Sequence, residues 1–324
     1  MATILANDGI DAAGKKILET SGIKVATEKV AQENLNDALK NFDGILVRSA
    51  TQVRKENIDA TPNLKLIGRA GVGMDNIDVK YAEGKGIKVV NTPAASSQSV
   101  AELVFAHLFT MARYLQDSNR AMPQCETKEK FNELKKKYSE GIELSGKTLG
   151  IVGAGMIGKA VAKMAAGLGM NIVFHDAFVK DVKFDLSFHP GVSSQKISLA
   201  FQCVSLEELL TASDFITLHI PFAKGTPAVI GAPQFDLMKK GAGIVNTARA
   251  GVVSETDLIS ALNSGKVSYA ALDVFEGEPL ISSGIRTHSK ISLSPHIGGS
   301  TKEAQERIGI ELAEKVVEFF RNSG

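Results

Sequence analysis

The sequence predicts an α/β protein of two domains, each built on a parallel sheet, with the second domain inserted into the first. Three observations predict it. The first hundred residues alternate short β-branched runs with helical ones, the pattern of βαβ units. A G-x-G-x-x-G, formed by Gly153, Gly155 and Gly158, follows an apolar run almost halfway along the chain. A second strand–helix series then resumes and ends in a long amphipathic segment. At 324 residues there is room for two domains of ordinary size.

The elements follow in order. ATILAND, IKVATE, GILVRSA, LKLIGRAG and IKVVNTP read as strands, with GIDAAGKKILET and LNDALKNF as helices between them. SSQSVAELVFAHLFTMARYLQDSNRAM reads as one long apolar helix over about 98–118, with an N-cap among Ser97 to Ser99 and Glu102 as its capping-box partner. Its apolar residues run around most of the helix, more than one buried stripe requires, which predicts a partner subunit. A basic, polar stretch, ETKEKFNELKKKYSEG, leads to the strand TLGIVG and the helix MIGKAVAKMAAGLG. NIVFHD, SDFITLHIP, AGIVNTAR, VSYAALDVF and ISLSPHI are the later strands; SLEELLTA, QFDLMKKG, SETDLISALNSG and TKEAQERIGIELAEKVVEFFRN are the later helices. The segment 184–200 fits neither pattern and is expected to be a surface loop. The expected division is 1–97 plus 297–324 for one domain and 98–296 for the inserted one, with the active site in the cleft between them.

Composition narrows the function. A net charge of +1 gives no reason to expect nucleic acid or an anionic membrane as a partner. No apolar run approaches the roughly 20 residues that span a bilayer. MATILANDGI lacks the basic and apolar regions of a secretory signal. Cys125 and Cys203 have neither metal-ligand nor disulfide-framework spacing, and read as reduced thiols of a cytoplasmic protein without a metal.

The glycine motif has the context that a dinucleotide fingerprint needs. A strand enters it and a helix leaves it, so the glycines can serve the turn, the approach to pyrophosphate and the helix–strand contact. Amides near Met156 and Ile157 would face the phosphates from the helix N-terminus. Asp176 ends the next strand, where a carboxylate can accept from both adenosine ribose hydroxyls and repel a 2′-phosphate; NAD is therefore the expected cofactor and the domain is Rossmann-like.

Hydride transfer at an alcohol carbon also needs an acid–base group, and a carboxylate substrate needs a cation. Arg249 lies just past AGIVNT, Asp273 and Glu278 past YAALDVF, and His296 past ISLS. A guanidinium can clamp a carboxylate with two hydrogen bonds. A histidine is suited to proton transfer near neutral pH, and a carboxylate beside it would orient the ring. Glu276 reads as solvated. His107, within VFAHLF, reads as a packed helix residue, and His219 as bordering the cofactor through its backbone; His175, His189 and His288 show no legible partner.

GIVGAGMIG, LHIP, NTARAG, ALDVFEGEP and SPHIGGSTKEAQ, in this order and spacing, resemble the D-isomer-specific 2-hydroxyacid dehydrogenase family over essentially the whole chain. The resemblance implies two Rossmann-like domains, the first closed by the C-terminal helix, and a homodimer through the nucleotide domain. It implies that Arg249 holds the substrate carboxylate, His296 is the acid/base with Glu278 as its partner, and Asp273 faces the nicotinamide end. Gly153, Gly155, Met156, Ile157, Gly158, Asp176, Ile220, Thr247, Ala248, Arg249, Asp273, His296, Gly298 and Gly299 then match cofactor-contacting positions.

Within the family, LVRSAT, IGRAGVGMDNID and VVNTP are most similar to the 3-phosphoglycerate dehydrogenase branch. This implies NAD-dependent oxidation of 3-phospho-D-glycerate to 3-phosphohydroxypyruvate, the first step of the phosphorylated route to serine. Arg48 and Ser49 would meet the phosphate, with Arg69 or Arg54 as helpers. The amides of Val72 and Gly73 would hold the carboxylate. The run Lys135 to Lys137 reads as a solvated face, the alternative being that it reaches a phosphate, within one chain or across a dimer. Ala250 stands where many relatives have glycine. The chain ends without the serine-binding regulatory domain of long relatives, so inhibition by that route is not expected. The alternatives are a glyoxylate or hydroxypyruvate reductase of the same family and a non-enzymatic NAD-sensing scaffold.

Overall fold

The computed structural model describes residues 1–187, 195–223 and 225–322. The chain separates into two compact units, Met1–Ser99 with Gly299–Gly324, and Val100–Gly298.

In the first unit, β1 (Thr3–Ala6), β2 (Lys24–Ala26), β3 (Gly44–Val47), β4 (Leu66–Arg69) and β5 (Lys88–Asn91) form one parallel sheet in the order β2-β1-β3-β4-β5. Period-two alternation divides its core. Leu5, Ile45 and Val47 face one apolar layer with Leu35 and Leu39; Ile4, Ala6 and Leu46 face the other with Leu18. The C-terminal helix Lys302–Asn322 completes that second layer with Leu312, Ala313, Val316 and Val317. It lies against the helix Ala12–Thr20 at two glycines: a Cβ on Gly14 would run into the Gly309 backbone, and one on Gly309 would meet Asp11.

The second unit holds β6 (Thr148–Val152), β7 (Asn171–His175), β10 (Phe215–Leu218), β11 (Ala242–Asn246), β12 (Val267–Leu272) and β13 (Ile291–Leu293) in a parallel sheet ordered β13-β12-β11-β10-β6-β7. The apolar layers again follow the pleat, with Ile216, Leu218 and Ile244 on one side and Leu149, Ile151 and Val245 on the other.

Two expectations need correction. The segment 184–200 is no simple loop: β8 (Asp181–Ser187) and β9 (Lys196–Gln202) pair as an antiparallel hairpin, with 188–194, including His189, outside the described residues. Its alternation was legible in VKFDL. Val182 and Phe184 are buried, and Phe201 stacks on Phe184 and meets Phe174 edge-on. The long apolar helix is not continuous either. It runs Ser97–Arg113 and restarts at Leu115–Ala121. Tyr114 breaks it with φ +53°, its ring against Tyr138 and Tyr269, while the Ala112 carbonyl accepts from the Ile142 amide. The polar stretch after it contains a helix, Lys128–Lys137, capped by Thr127.

Beyond β10, the His219 amide donates to the Val152 carbonyl and its Nε2 lies 2.9 Å from Thr217 Oγ1. Its Nδ1 is buried and finds no hydrogen-bond partner among the described residues. Burial pushes this imidazole down to about 3. The unfolded chain binds that proton below about pH 6.5, whereas the folded ring stays neutral to about pH 3. Stability is therefore lost as pH falls through this window, by at most about 1.4 kcal/mol per pH unit for one proton.

Two outcomes follow from these contacts. Gly14→Val should lower the unfolding free energy in urea by about 1–3 kcal/mol through overpacking against Gly309; a variant as stable as the parent would mean that the two helices part without cost. The urea midpoint should fall between pH 7 and pH 5, and His219→Gln should make that fall shallower. Parallel pH profiles for the two proteins would remove His219 as the cause.

Candidate active site

Strand register sets the site of the second unit. Val152 pairs with His175 and with Leu218, Leu218 with Asn246, Asn246 with Leu272, and Leu272 with Leu293. These six residues form one row across the carboxyl edge of the sheet. Asp176, Gly153, His219, Thr247, Asp273 and Ser294 follow them directly, so the predicted motifs emerge side by side.

The glycine turn is built as a phosphate approach requires. Gly153 has φ +106°, and a Cβ there would meet the His219 carbonyl. A Cβ on Gly158 would strike the Gly153 carbonyl, which is how the helix Met156–Gly167 comes so close to the strand. Gly155 faces open space, with no atom within 4 Å of a would-be Cβ. Thr247 Oγ1, at the end of β11, is buried without a partner among the described residues. An open glycine face and an unsatisfied hydroxyl on one sheet edge fit a bound dinucleotide.

Asp176 departs from the expected geometry. Its Oδ1 accepts from the Phe178 and Val179 amides at 2.9 and 3.0 Å, and Oδ2 from Ala154 N at 2.8 Å. Burial opposes its charge, yet the three amides outweigh burial and hold the carboxyl below its ordinary range. With about two lone pairs per oxygen, one remains on Oδ2. Three of the acceptor positions of the carboxylate are thus taken by the backbone.

His296 and Glu278 come together as expected: His296 Nδ1 lies 2.9 Å from Glu278 Oε2. The other Glu278 oxygen accepts from Phe275 N at 2.8 Å, which fixes the carboxylate from behind. The ring is exposed, and a proton donated from Nδ1 to Glu278 leaves Nε2 to face a reacting group. His296 itself has φ +54°, a conformation uncommon outside glycine. Arg249 is half-buried, its Nη1 donating to the Ala248 carbonyl at 2.6 Å. Asp273 is fully buried and accepts from Ile297 N, Gly298 N and the Ser294 hydroxyl.

Several supporting groups escaped sequence reasoning. Asn246 spans the turn before Arg249, donating to its carbonyl at 2.9 Å and accepting from Ala248 N at 3.0 Å. A polar residue ending a wholly buried strand was the available signal. Glu255 accepts from the Glu276 amide at 2.7 Å, so the exposed Glu276 is tied down through its backbone. His107 is packed but not inert, since both ring nitrogens meet serine hydroxyls. His175 reaches the Val204 carbonyl and His288 the Asn263 side chain and Lys290 amide.

In the first unit Arg48 directly follows β3, next to β1, where the strand order reverses, the position at which such sheets bind ligands. Asp8 accepts from Arg48 N at 2.8 Å and from Thr51 N and Oγ1, while Asn76 donates to the Arg48 and Thr51 carbonyls. The Arg48 backbone is thus fixed, and its guanidinium has no hydrogen-bond acceptor among the described residues. Ser49 is exposed beside it, and the Val72 and Gly73 amides donate to no acceptor among the described residues.

Arg54 is already engaged. All three of its nitrogens are engaged, with Gln52, Asp78 and the Asp75 carbonyl, because it braces the helix Lys55–Asp59. Arg69 donates to the Ala70 carbonyl. Lys135 and Lys136 are solvated, while Lys137 joins Asp117 and Tyr138 and is pushed up to about 12 by these partners.

Comparison with known proteins agrees with this architecture. A D-3-phosphoglycerate dehydrogenase of Methanocaldococcus jannaschii is 42% identical over 323 residues, 99% of this chain and 58% of that protein. A hydroxypyruvate reductase of Thermotoga maritima is 40% identical over 314 residues, 96% of this chain and 95% of that protein. The chain thus spans just over half the length of the first relative and nearly all of the second. An NAD+-bound 3-phosphoglycerate dehydrogenase structure from Entamoeba histolytica superposes with a TM-score of 0.77 at 28% identity, covering 100% of this chain and 96% of that one. Residues 105–298 match the family described as D-isomer specific 2-hydroxyacid dehydrogenase, NAD binding domain. The chain belongs to the D-isomer specific 2-hydroxyacid dehydrogenase family, and its second unit is that family's NAD-binding domain.

Proposed function

We propose that the chain oxidises 3-phospho-D-glycerate to 3-phosphohydroxypyruvate with NAD. The observation that carries the reading is the His296–Glu278 pair on the same sheet edge as an open glycine turn. Bound NAD supplies the acceptor for the hydride that leaves C2. Arg249 clamps the substrate carboxylate, helped by the Val72 and Gly73 amides. His296 Nε2 takes the hydroxyl proton, and Glu278 at Nδ1 holds the ring in the orientation for that transfer. Asp273 fixes the turn before and after His296. Arg48 pairs with the phosphate, which is why an unengaged guanidinium at the ligand edge of the first unit favours a phosphorylated substrate.

The second reading is a hydroxypyruvate reductase, favoured by the Thermotoga maritima relative, 95% of whose length this chain matches. An unphosphorylated substrate needs no cation at Arg48. A homodimer through the nucleotide domain is part of the proposal. Its support is a run of large apolar side chains left exposed between residues 109 and 142 of the second unit, Phe109, Leu115, Met122, Phe131 and Ile142. No helix among the described residues is long and apolar enough to cross a membrane.

NADH oxidation with 3-phosphohydroxypyruvate and with hydroxypyruvate decides the substrate. A much higher kcat/KM is expected for the phosphorylated ketoacid, and Arg48→Ala should remove about 10²-fold of it, the loss expected of a buried charge pair, while leaving hydroxypyruvate nearly unchanged. Equal losses on both would sink the phosphate assignment; turnover of neither would favour the scaffold. Sedimentation should give a dimer that Leu115→Glu with Phe131→Glu dissociates, and a monomeric parent protein would contradict the interface.

A further inference from the structure

A buried polar chain lies beneath the His296 turn. His107, on the helix Ser97–Arg113, is 5% exposed. Its Nδ1 lies 2.9 Å from Ser292 Oγ and its Nε2 3.0 Å from Ser294 Oγ. Ser294 Oγ donates to Asp273 Oδ1 at 2.6 Å. The same carboxylate accepts from Ile297 N at 2.9 Å and Gly298 N at 2.8 Å. The His296 amide donates to the Ser294 carbonyl, and its φ is +54°. Residues 294–298 therefore curl around one carboxylate, with His296 at the crest.

Proton counting gives the chain a direction. Ser294 has one hydroxyl proton, committed to the carboxylate, so its oxygen can only accept from His107. Nε2 must then carry the ring proton. Burial holds the His107 imidazole below its ordinary value, with the Asp273 charge opposing, so the ring is neutral and Nδ1 is an acceptor. Ser292 donates to it. The hydrogens run Ser292 to His107 to Ser294 to Asp273. The charge-assisted last bond is the strongest kind available here. A leucine at 107 would leave Ser292 without its acceptor and Ser294 without its donor.

We propose that His107 is a positioning residue for the dehydrogenase reaction: through Ser294 it fixes the Asp273 carboxylate and, with it, the strained turn that presents His296. Its kinetic consequence rests on the hydride-transfer reading above; its structural consequence does not. Long-range ¹⁵N correlation spectra of the free protein at neutral pH should show His107 protonated at Nε2 and bare at Nδ1. An Nδ1–H tautomer or an imidazolium would overturn the directed chain.

Two substitutions carry the rest. Glutamine at 107 can place its amide N–H₂ where Nε2 stands, and leucine can place none. In His107→Leu the Ile297 and Gly298 amides should exchange with solvent about tenfold faster, the loss expected of roughly one hydrogen bond. The kcat should fall by a similar factor, about tenfold for 1.4 kcal/mol, with KM for the ketoacid within about twofold. His107→Gln should restore both to within about threefold of the parent protein on the same scale. Unchanged exchange at 297 and 298 in the leucine variant would overturn the proposal, as would a glutamine variant that falls as far as leucine. If leucine does not fold, the glutamine variant and the tautomer still decide. A protein that turns over no ketoacid but shows the tautomer and the exchange pattern refutes the substrate reading and keeps the turn assignment.

Discussion

Parallel pairing in step is the constraint on which the chemistry of the second unit depends. In a parallel sheet every strand delivers its carboxyl end to one edge. Here the six ends are also level, from His175 through Val152, Leu218, Asn246 and Leu272 to Leu293. Gly153, Arg249, the buried Asp273 and the exposed His296, far apart in sequence, are brought to one sheet edge because each follows its own strand end. The apolar layers on both faces hold that register, since a slip by one residue would turn Ile216, Leu218 and Ile244 toward the wrong layer.

Carboxylates set loops beyond the strand ends in each unit. Asp8 gathers the Arg48 and Thr51 amides, Asp176 gathers Ala154, Phe178 and Val179, and Asp273 gathers Ile297 and Gly298. Glu278 does so with one oxygen and keeps the other for His296. A charged acceptor strengthens each amide bond relative to a neutral one. The result is a set of turns in which acidic side chains satisfy the backbone amides that the strand ladders leave unpaired.

Most of this was legible from the chain itself. Strand–helix alternation and the glycine spacing foresaw the parallel sheets, because those features depend on local pattern, and the family resemblance of ALDVFEGEP and SPHIGGSTKEAQ implied the His296–Glu278 contact. What escaped depended on partners distant in sequence. The break at Tyr114 needs Tyr138 and Tyr269; the engagement of Arg54 needs Asp78 and Asp75; the polar role of His107 needs serines 185 and 187 residues away. The hairpin of β8 and β9 was missed for another reason. Its alternation, legible in VKFDL, was set aside because the segment breaks the strand–helix rhythm of the rest of the chain.

Asp176 shows how far one side chain can be shared. The carboxylate proposed to meet the ribose also latches the turn of the glycine fingerprint, through Ala154, to the corner after β7. Selectivity for the cofactor and the shape of the phosphate loop are therefore not independent traits of this chain. A neutral residue that admitted a 2′-phosphate would at the same stroke free three amides and loosen the loop meant to hold the pyrophosphate. A lineage that changed its cofactor at this position would need a second acceptor for those amides first, so the preference is buffered against single substitutions by architecture as much as by charge.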